Sequence, residues 1–367
     1  MVPRARDVAY RGETDRRDRR PQLITPVSQP VTILSPELPP TIGGLADYTA
    51  HLIANWPGAQ EFDVMIPRRE TFRANLPTQN GTVLLQYSAY GFDRYGYPRW
   101  LLDALLDWKR KSDGRLCVMF HEIWTFWPWW NKNFVIQMFH RRAITRLLRA
   151  ADAVFTTTAS QADYLSRLAP GCNVRVLPVG ANVVPTAAPP TSRERGMAVL
   201  FGMQGTRVRA LRETAGDWRA LVPSGRIERI VAVGGGTLNA LDAEEKALLE
   251  ALQLRSGFRQ LGAKNAREVS AILASAEFGI AAQDPLSYTK SGTFMAYAAH
   301  GLNILSKHAA PAAKEPTCLL TSPAELSVGL ADVELHRRGQ KLRAWYERTA
   351  SWPQIAQEFA RAVRSQR

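Results

Sequence analysis

Short apolar runs rich in β-branched residues alternate with longer amphipathic stretches along the first half of the chain. These runs predict β-strands at residues 31–35, 62–66, 83–87, 116–120 and 153–156. The apolar spacing between residues 134 and 150 predicts a long amphipathic helix. Strands that alternate with helices in this way are typical of parallel sheets with helices on both faces.

The same alternation restarts in the second half. Further strands are predicted at residues 197–202, 226–233, 277–281 and 302–305. A helix is predicted at 290–299, and the Pro- and Ala-rich stretch at 185–195 predicts a linker between the halves. We therefore expect an α/β protein with two Rossmann-like, doubly wound domains, at residues 31–190 and 191–345, which face each other across a cleft.

The composition agrees with a soluble protein of two domains, since 46% of the 367 residues are apolar and 22% are charged. No apolar stretch approaches the roughly 18 residues of a membrane-spanning helix. Residues 1–30 are basic and lack the apolar segment of a secretory signal, so we interpret them as a disordered leader. Cys117, Cys172 and Cys318 are far apart and form no CxxC motif, which favours a reducing cytoplasm.

The formal net charge of +14 indicates an anionic partner. Nucleic acid, acidic lipid headgroups and the phosphates of a nucleotide sugar are the three candidates. The sequence contains no helix-turn-helix, zinc-finger, RNP or KH signature, so we expect no nucleic-acid partner. A membrane surface and a nucleotide sugar both stay open on charge alone.

Several short motifs follow one another from the first predicted strand to the C-terminus. A GGLADY loop begins at Gly43, and an FHE motif spans residues 120–122. LPVGANV covers 177–183, IVAVGGG covers 230–236 and AAHGLNIL covers 298–305. Their order resembles that of the GT-B glycosyltransferases, and is closest to glycosyltransferase family 4 and its bacterial polysaccharide relatives.

The resemblance implies the GT-B architecture, in which the N-terminal domain binds the acceptor and the C-terminal domain binds the nucleotide sugar. It also implies that a last helix, at residues 346–367, crosses back to the N-terminal domain. The expected activity is transfer of a sugar from a nucleotide-sugar donor to a polysaccharide or lipid-linked saccharide acceptor, with retention of the anomeric configuration. The nucleotide sugar is then a substrate, and we expect no cofactor.

Two departures from the family pattern concern the donor pocket. The family carries two glutamates separated by seven residues, and the corresponding positions hold Tyr288 and Ala296. The positive charges that the family places after the first strand of the second domain come later here, at Arg207 and Arg209. These changes leave two alternatives open, a catalytically silent GT-B module that binds glycan or protein partners and a GT-B nucleotide-sugar epimerase. They also leave open whether the transfer retains or inverts the anomeric configuration.

Cleavage of a nucleotide sugar puts negative charge on the leaving diphosphate, which an enzyme without a metal meets with Arg, Lys and helix N-terminal amides. Residues 290–293 (KSGT) offer an ammonium, two hydroxyls and backbone N–H groups at a predicted helix start. The alternative is that a hydroxyl only caps the helix, the arginines are solvated and the Gly-Gly loop is a simple turn. The sequence offers no Asp-x-Asp motif near a strand end, so we expect no metal site. The predicted donor-binding residues are Gly43, Gly44, Arg207, Arg209, Lys290, Ser291, Gly292 and Thr293.

Three polar residues are candidates for proton transfer at the acceptor. His121 and Glu122 follow an apolar strand, where side chains reach the expected cleft. A histidine there can hydrogen-bond the sugar or accept the acceptor's proton, and Glu122 can orient the histidine or act as the base. Asp47, in the Gly-Gly loop motif, is a further candidate base. A lone histidine at a strand end is also often a satisfied structural residue, so both interpretations of His121 stay open.

An aromatic run at residues 124–130 contains four tryptophans and precedes a basic stretch without acids. Trp prefers the membrane interface and basic side chains attract anionic lipid, which predicts a cytoplasmic protein that binds peripherally to the inner face of the plasma membrane. A sugar-stacking acceptor subsite and an aromatic core patch are the alternatives. The residues assigned to the acceptor or the membrane are Trp124, Trp127, Trp129, Trp130, Arg141 and Arg142.

Overall fold

The structure, a computed structural model, describes residues 30–364 apart from residues 42, 78–79, 124–127, 132–133, 189–191 and 236–238. Residues 1–29 of the predicted leader lie outside the described residues, as do Trp124 and Trp127 of the aromatic run. The described part of the chain forms two α/β domains, and each is built on a parallel sheet.

The first sheet has six parallel strands in the order β2-β1-β3-β4-β5-β6. Its strands are β1 (Val31–Leu34), β2 (Phe62–Met65), β3 (Thr82–Ser88), β4 (Arg115–Glu122), β5 (Ala153–Thr156) and β6 (Val174–Val176). The five strands predicted in this half are confirmed, with small shifts at their ends. The central strands β1, β3 and β4 are almost wholly buried, as expected for strands covered on both faces.

Helices cover both faces of this sheet. They are α1 (Gly44–Ala54), α2 (Ala89–Phe92), α3 (Arg99–Lys111), α4 (Phe134–Ala150) and α5 (Ala159–Leu168). The predicted amphipathic helix is confirmed as α4. We did not predict α3, although Leu101, Leu105 and Trp108 are buried at helical spacing along it.

The second sheet has five parallel strands in the order β11-β10-β7-β8-β9. Its strands are β7 (Glu194–Phe201), β8 (Arg229–Val233), β9 (Phe258–Gln260), β10 (Ala276–Ile280) and β11 (Asn303–Leu305). The helices around it are α6 (Gln204–Leu221), α7 (Asn239–Glu250), α8 (Ala266–Ser275), α9 (Gly292–Ala299), α10 (Pro323–Ser327) and α11 (Asp332–Thr349). Both halves therefore have the doubly wound parallel architecture that the sequence predicts.

A last helix, α12 (Trp352–Arg364), returns to the first domain and packs on α1. Its apolar face places Ile355 and Phe359 in one buried cluster with Tyr48 of α1 and Phe155 of β5. The α/β architecture with two Rossmann-like domains and a crossing C-terminal helix is thereby confirmed.

The two chain crossings between the domains touch each other. Trp352, at the start of α12, donates its indole N–H to the carbonyl oxygen of Ala181 at 2.8 Å. An added Cβ on Gly180 would lie 2.4 Å from the Trp352 ring, so this contact requires glycine. The predicted linker at 185–195 is shorter than expected, because β7 already begins at Glu194.

Candidate active site

The carboxyl ends of β1, β3 and β4 lie side by side at one edge of the first sheet. On β3 and β4, Leu84, Cys117 and Met119 belong to the core between the sheet and helices α1 and α12. Because side chains alternate along a strand, Gln86 and His121 continue this same face towards the edge. The two strands therefore change from apolar in the core to polar where they reach the cleft.

His121 is buried, with 7% of its surface exposed. Its Nε2 lies 2.6 Å from Oε1 of Gln86, and since an amide oxygen only accepts, we assign the ring proton to Nε2. Burial, and then the positive charge of Lys290, lower the pKa of His121 to about 3. The ring is therefore neutral at neutral pH and keeps a lone pair on Nδ1, which can accept a hydrogen bond from a sugar hydroxyl.

Two buried polar atoms accompany His121. The ring of Tyr48 meets that of His121 edge to face, with the centroids 4.6 Å apart. Within the described ranges, the hydroxyl of Tyr48 and the amide nitrogen of Gln86 have no hydrogen-bond partner. Buried polar groups are normally paired, so unpaired ones beside a cleft indicate a place that a ligand or water completes.

Glu122 reaches the cleft through a β-bulge at the end of β4, where the strand pairing shifts and sets Ser88 opposite Glu122. Ser88 donates its hydroxyl to Oε2 of Glu122 at 3.3 Å. From the second domain, Nζ of Lys290 lies 3.3 Å from Oε1 of the same carboxylate. The structure thus brings three predicted site residues of two domains together, since His121 precedes Glu122 and its pKa responds to Lys290.

The start of α1 holds a carboxylate that we did not predict there. Oε1 of Glu37 accepts the backbone N–H of Leu45 at 3.0 Å and that of Ala46 at 3.3 Å. The amides and the helix dipole stabilise a negative charge at this position. An added Cβ on Gly43 would lie 2.2 Å from Oε1 of Glu37, so a larger residue at this position would displace the carboxylate. Glu37 therefore lies at the helix start where we had expected the Gly43-Gly44 loop to meet the donor diphosphate.

Asp47, the third predicted candidate base, is exposed in the first turn of α1. The carboxyl is nevertheless partly desolvated by its surroundings, which raises the pKa of Asp47. The charge of His51 opposes this shift, and the charge of Glu37 adds to it. Glu37, Asp47 and Glu122 all lie at the carboxyl edge of the first sheet. This side of the cleft is consequently rich in carboxylates, while the opposite side provides the ammonium of Lys290.

In the second domain, two loops and a helix start approach each other closely at the carboxyl edge of the sheet. Gly234, after β8, has φ +131°, and an added Cβ there would lie 2.2 Å from the carbonyl oxygen of Gly202, after β7. Gly202 itself has φ +130°, and an added Cβ would lie 3.1 Å from Oγ1 of Thr293 at the start of α9. Glycine is needed at both places, and the three segments form one continuous surface.

Residues 290–293 lie on the second domain's side of the cleft. Ser291 caps α9 by accepting the backbone N–H of Phe294 at 3.1 Å, which is the alternative role that the sequence left open for it. Gly292 contacts the interdomain crossing, because its carbonyl oxygen accepts the N–H of Asn182 at 3.4 Å. Lys290 ends a short 3-10 helix just before α9, and its side chain is 39% exposed. Of this group, Lys290 and Thr293 therefore have the functional groups best placed for a ligand.

The two arginines predicted at the donor lie within α6. Arg207 is buried and forms a double hydrogen bond with Glu245, at 2.6 and 3.0 Å. It also donates to the carbonyl oxygen of Gly202 at 2.6 Å. We therefore correct the expectation for Arg207, since its guanidinium supports the loop after β7 from inside the domain. Arg209 is exposed and lies 3.8 Å from Glu213 on the same helix.

Tyr288 and Ala296, at the positions of the family's two glutamates, are core residues. Tyr288 is 1% exposed, and its ring stacks on that of Phe294 at 4.3 Å. Its hydroxyl lies 3.2 Å from the hydroxyl of Ser306, and Ala296 is fully buried. The departure from the family pattern is thus a change of packing that replaces two cleft carboxylates with interior side chains.

Four polar residues of this region were not predicted from the sequence. Gln86 and Ser88 had a signal, because they are alternating polar positions at the end of the otherwise apolar VLLQYS run. Glu37 and Glu245 had none. Their partners stand eight and 38 positions away, and only the folded loop and the packed helices bring them together.

The described part of the aromatic run lies on the surface. Trp129 is 76% exposed and Trp130 is 72% exposed, with their rings edge to face at 5.6 Å. This exposure excludes the core alternative for these two residues. Arg141 and Arg142 are also exposed, on α4. Among the helices that the structure describes, none has both the length and the apolar character needed to cross a membrane.

Known proteins match this chain in structure but not in sequence. No family model and no curated protein sequence matches the chain. Sucrose-phosphate synthase from Thermosynechococcus elongatus is 15% identical and aligns over 92% of this chain and 98% of its own, with a TM-score of 0.58. WaaG, a glycosyltransferase involved in lipopolysaccharide biosynthesis, is 13% identical over 92% of this chain and 100% of its own, with a TM-score of 0.57.

HepE from Anabaena, in a complex with UDP and glucose, is 11% identical and aligns over 91% of this chain and 99% of its own, with a TM-score of 0.56. Each alignment extends over nearly the whole of both chains, so the likeness includes both domains. At these identities the likeness concerns the fold. The chain therefore has the GT-B fold that its sequence motifs implied.

Proposed function

We propose that this protein is a glycosyltransferase that moves a sugar from a nucleotide-sugar donor to a hydroxyl of a saccharide acceptor. The observation that carries the proposal is the meeting of Lys290 with Glu122, beside His121, in the cleft of a GT-B fold. A cation near a helix start suits a leaving diphosphate, and a carboxylate next to a neutral histidine suits an attacking hydroxyl. WaaG is a glycosyltransferase and HepE binds UDP and glucose, which supports the same substrate class here.

The donor diphosphate lies, in this proposal, against the second domain. Lys290 supplies a positive charge, and Thr293 supplies a hydroxyl in the first turn of α9. The surface beside Thr293 is formed by Gly202 and Gly234, so phosphate oxygens can approach the backbone without meeting side chains. Because these groups meet the phosphate charge, we also propose that transfer needs no divalent metal.

The acceptor lies against the first domain. Its hydroxyl oxygen bonds to the anomeric carbon as the bond from that carbon to the diphosphate breaks, and its proton passes to the carboxylate of Glu122. His121 positions a sugar hydroxyl through Nδ1. Because its pKa is about 3, it adds no positive charge beside the cation-like sugar ring. Attack on the face from which the diphosphate departs retains the anomeric configuration, as the resemblance implies, whereas attack on the opposite face inverts it. The configuration of the product, read by NMR, distinguishes the two.

A nucleotide-binding experiment tests the donor site. We expect one of UDP, GDP, dTDP and ADP to raise the melting temperature, because a ligand that binds only the native state stabilises it. Lys290→Ala should weaken binding of that nucleotide by about 10- to 100-fold, as for the loss of a charged hydrogen bond. Hydrolysis of the matching nucleotide sugar by the wild-type protein would exclude the silent module.

Lys264→Ala is a matched control for Lys290→Ala. Lys264 lies just before α8 as Lys290 lies just before α9, and it lies 3.6 Å from Glu268. Its side chain is 36% exposed, against 39% for Lys290. Equal nucleotide affinity in the two folded variants would remove Lys290 from the donor site and contradict the proposal.

We further propose that the first domain docks on an anionic membrane surface. On α4, Val135, Met138 and Phe139 are exposed at the spacing of one helix face, and the exposed Trp129 and Trp130 precede them in the sequence. The same face continues with exposed arginines, Arg142, Arg146 and Arg149. Apolar side chains followed by cations match the order of acyl chains and anionic headgroups at a bilayer interface.

Sedimentation with phosphatidylglycerol vesicles tests this docking. Binding should fall as salt rises, because each basic residue contributes on the order of 1 kcal/mol that salt screens. Replacing Trp129 and Trp130 by Ala should release the protein from vesicles. Replacing Val328 and Val333, exposed on the second domain, by Ser should leave vesicle binding unchanged. If the Trp variant still binds vesicles but loses acceptor turnover, the two tryptophans form a sugar platform instead.

A further inference from the structure

Lys290 and Glu122, to which the proposed function gives separate roles, form an ion pair with each other across the cleft. It joins the strand end of one domain to the helix start of the other, with Nζ and Oε1 3.3 Å apart. The two side chains are 39% and 49% exposed, so solvent and ligands can reach both. In the described part of the chain, this is the one ion pair that either residue forms. The carboxylate therefore occupies, on Lys290, the place that the donor phosphate takes in the proposed function.

Resting on that proposed function, we infer that Glu122 is the internal counter-ion of Lys290 before the donor binds and that the donor diphosphate displaces it. A diphosphate carries more negative charge than a carboxylate and also repels Glu122, so it competes effectively for Lys290. Displacement leaves Glu122 attached to the first domain through the hydroxyl of Ser88, 3.3 Å from Oε2. Donor binding thereby frees the proton acceptor at the place where the acceptor hydroxyl arrives.

The surroundings of the pair favour this exchange. His121 is neutral, so it offers Glu122 no replacement for the lysine charge. While Oε1 of Glu122 accepts a hydrogen bond from Nζ of Lys290, this oxygen is not available to an acceptor hydroxyl. Before the donor binds, Glu122 is thus occupied, and afterwards it can act as a base. The consequence is an order of events in which the donor binds first and the acceptor becomes reactive second.

Glu122→Gln separates the two roles. The variant removes the competing charge, so the nucleoside diphosphate identified in the thermal screen should bind about two- to fivefold more tightly at low salt, the range typical of exposed ion pairs. Turnover should fall by about 10²- to 10⁴-fold, as expected for the loss of a base. A substitution that tightens donor binding while lowering turnover is not expected of a residue with a merely structural role.

The coupling to Lys290 is tested by combining substitutions. In a Lys290→Ala background, Glu122→Gln should leave the affinity for the nucleoside diphosphate unchanged, because there is no cation left to compete for. Glu268→Gln is the matched control, since Glu268 is 48% exposed and pairs with Lys264, and it should change neither affinity nor turnover.

The outcomes distinguish this inference from the proposed function. If Lys290→Ala weakens nucleotide binding but Glu122→Gln leaves it unchanged or weakens it, the donor site stands and the displacement is refuted. Tighter binding of similar size in both Glu122→Gln and the double variant, relative to their parents, also refutes displacement, because the effect is then independent of Lys290. If Lys290→Ala has no effect, the donor site itself is refuted.

Discussion

Three histidines are buried in the neutral form, and we expect them to make the fold sensitive to mild acid. Burial lowers the pKa of His121 to about 3, with the charge of Lys290 adding to the shift. Burial also lowers the pKa of His140 to about 4, partly opposed by Asp93. For His300 the pKa is about 4, again chiefly through burial. A change of pH from 7 to 5 should therefore destabilise the fold.

The direction in which pH changes the free energy of unfolding depends on how many protons the folded and unfolded states bind. In the unfolded chain a histidine has a pKa of about 6.5, so below this pH the unfolded state binds protons that the native state does not bind. Stability is consequently lost as pH falls from about 6.5 towards the native values near 4 and 3. At pH 5 each buried histidine lowers the free energy of unfolding by about 2 kcal/mol, and the three together by about 6 kcal/mol. This loss is comparable with the whole stability of an ordinary domain.

Urea unfolding at pH 7, 6 and 5, followed by Trp fluorescence, measures this loss. His300→Gln should remove about 2 kcal/mol of the decrease between pH 7 and 5, because one of the three titrating groups is absent. His336→Gln is the control, since His336 is exposed on α11 and should leave the decrease unchanged. A free energy of unfolding that stays constant from pH 7 to 5 would refute the reasoning, as would an equal decrease in wild type and His300→Gln.

Three further predictions concern the fold and the reaction. Arg207→Gln leaves Glu245 as a buried, unpaired carboxylate, so we expect a loss of about 3–5 kcal/mol in urea unfolding, and a loss under 1 kcal/mol would contradict the role assigned to the pair. Gly180→Ala forces a methyl group against the Trp352 ring and should cost about 1–3 kcal/mol, with unaltered unfolding as the contrary result. Turnover should persist in EDTA, and full loss that Mn²⁺ or Mg²⁺ restores would show that a metal is required.

The sequence was most informative where periodicity alone decides the structure. The buried strands and the 134–150 helix have clear periods, and they were predicted within small shifts. α6 was not predicted, although Val208, Leu211 and Trp218 are buried along it at helical spacing, because charged residues stand between these apolar positions and weaken the pattern. Topology then explains why His121 and Glu122 reach the cleft, since they end a central parallel strand.

The charges of the site were less predictable because their partners are set by packing. An arginine in the sequence presents the same guanidinium whether it faces a phosphate or a buried carboxylate, and the residue that decides, Glu245, stands 38 positions from Arg207. The carboxylate at the start of α1 likewise comes from Glu37, which stands eight positions before Leu45, whose N–H it accepts. Composition therefore limits which partner the cleft can take, but only the fold shows which charges are available to it.

With Arg207 inside the domain, the proposed function assigns to Lys290 much of the positive charge that the family pattern supplies through several side chains. Tyr288 and Ala296, at the positions of the family's two glutamates, have a related effect in the proposed donor site, because a donor ribose would meet no carboxylate there. In the proposed function, recognition of the donor therefore depends mainly on its diphosphate, which meets one ammonium and the amides of a helix start. In the displacement that we infer, Lys290 pairs with an exposed glutamate of the opposite domain that a diphosphate can replace, so the lysine stays available to the donor.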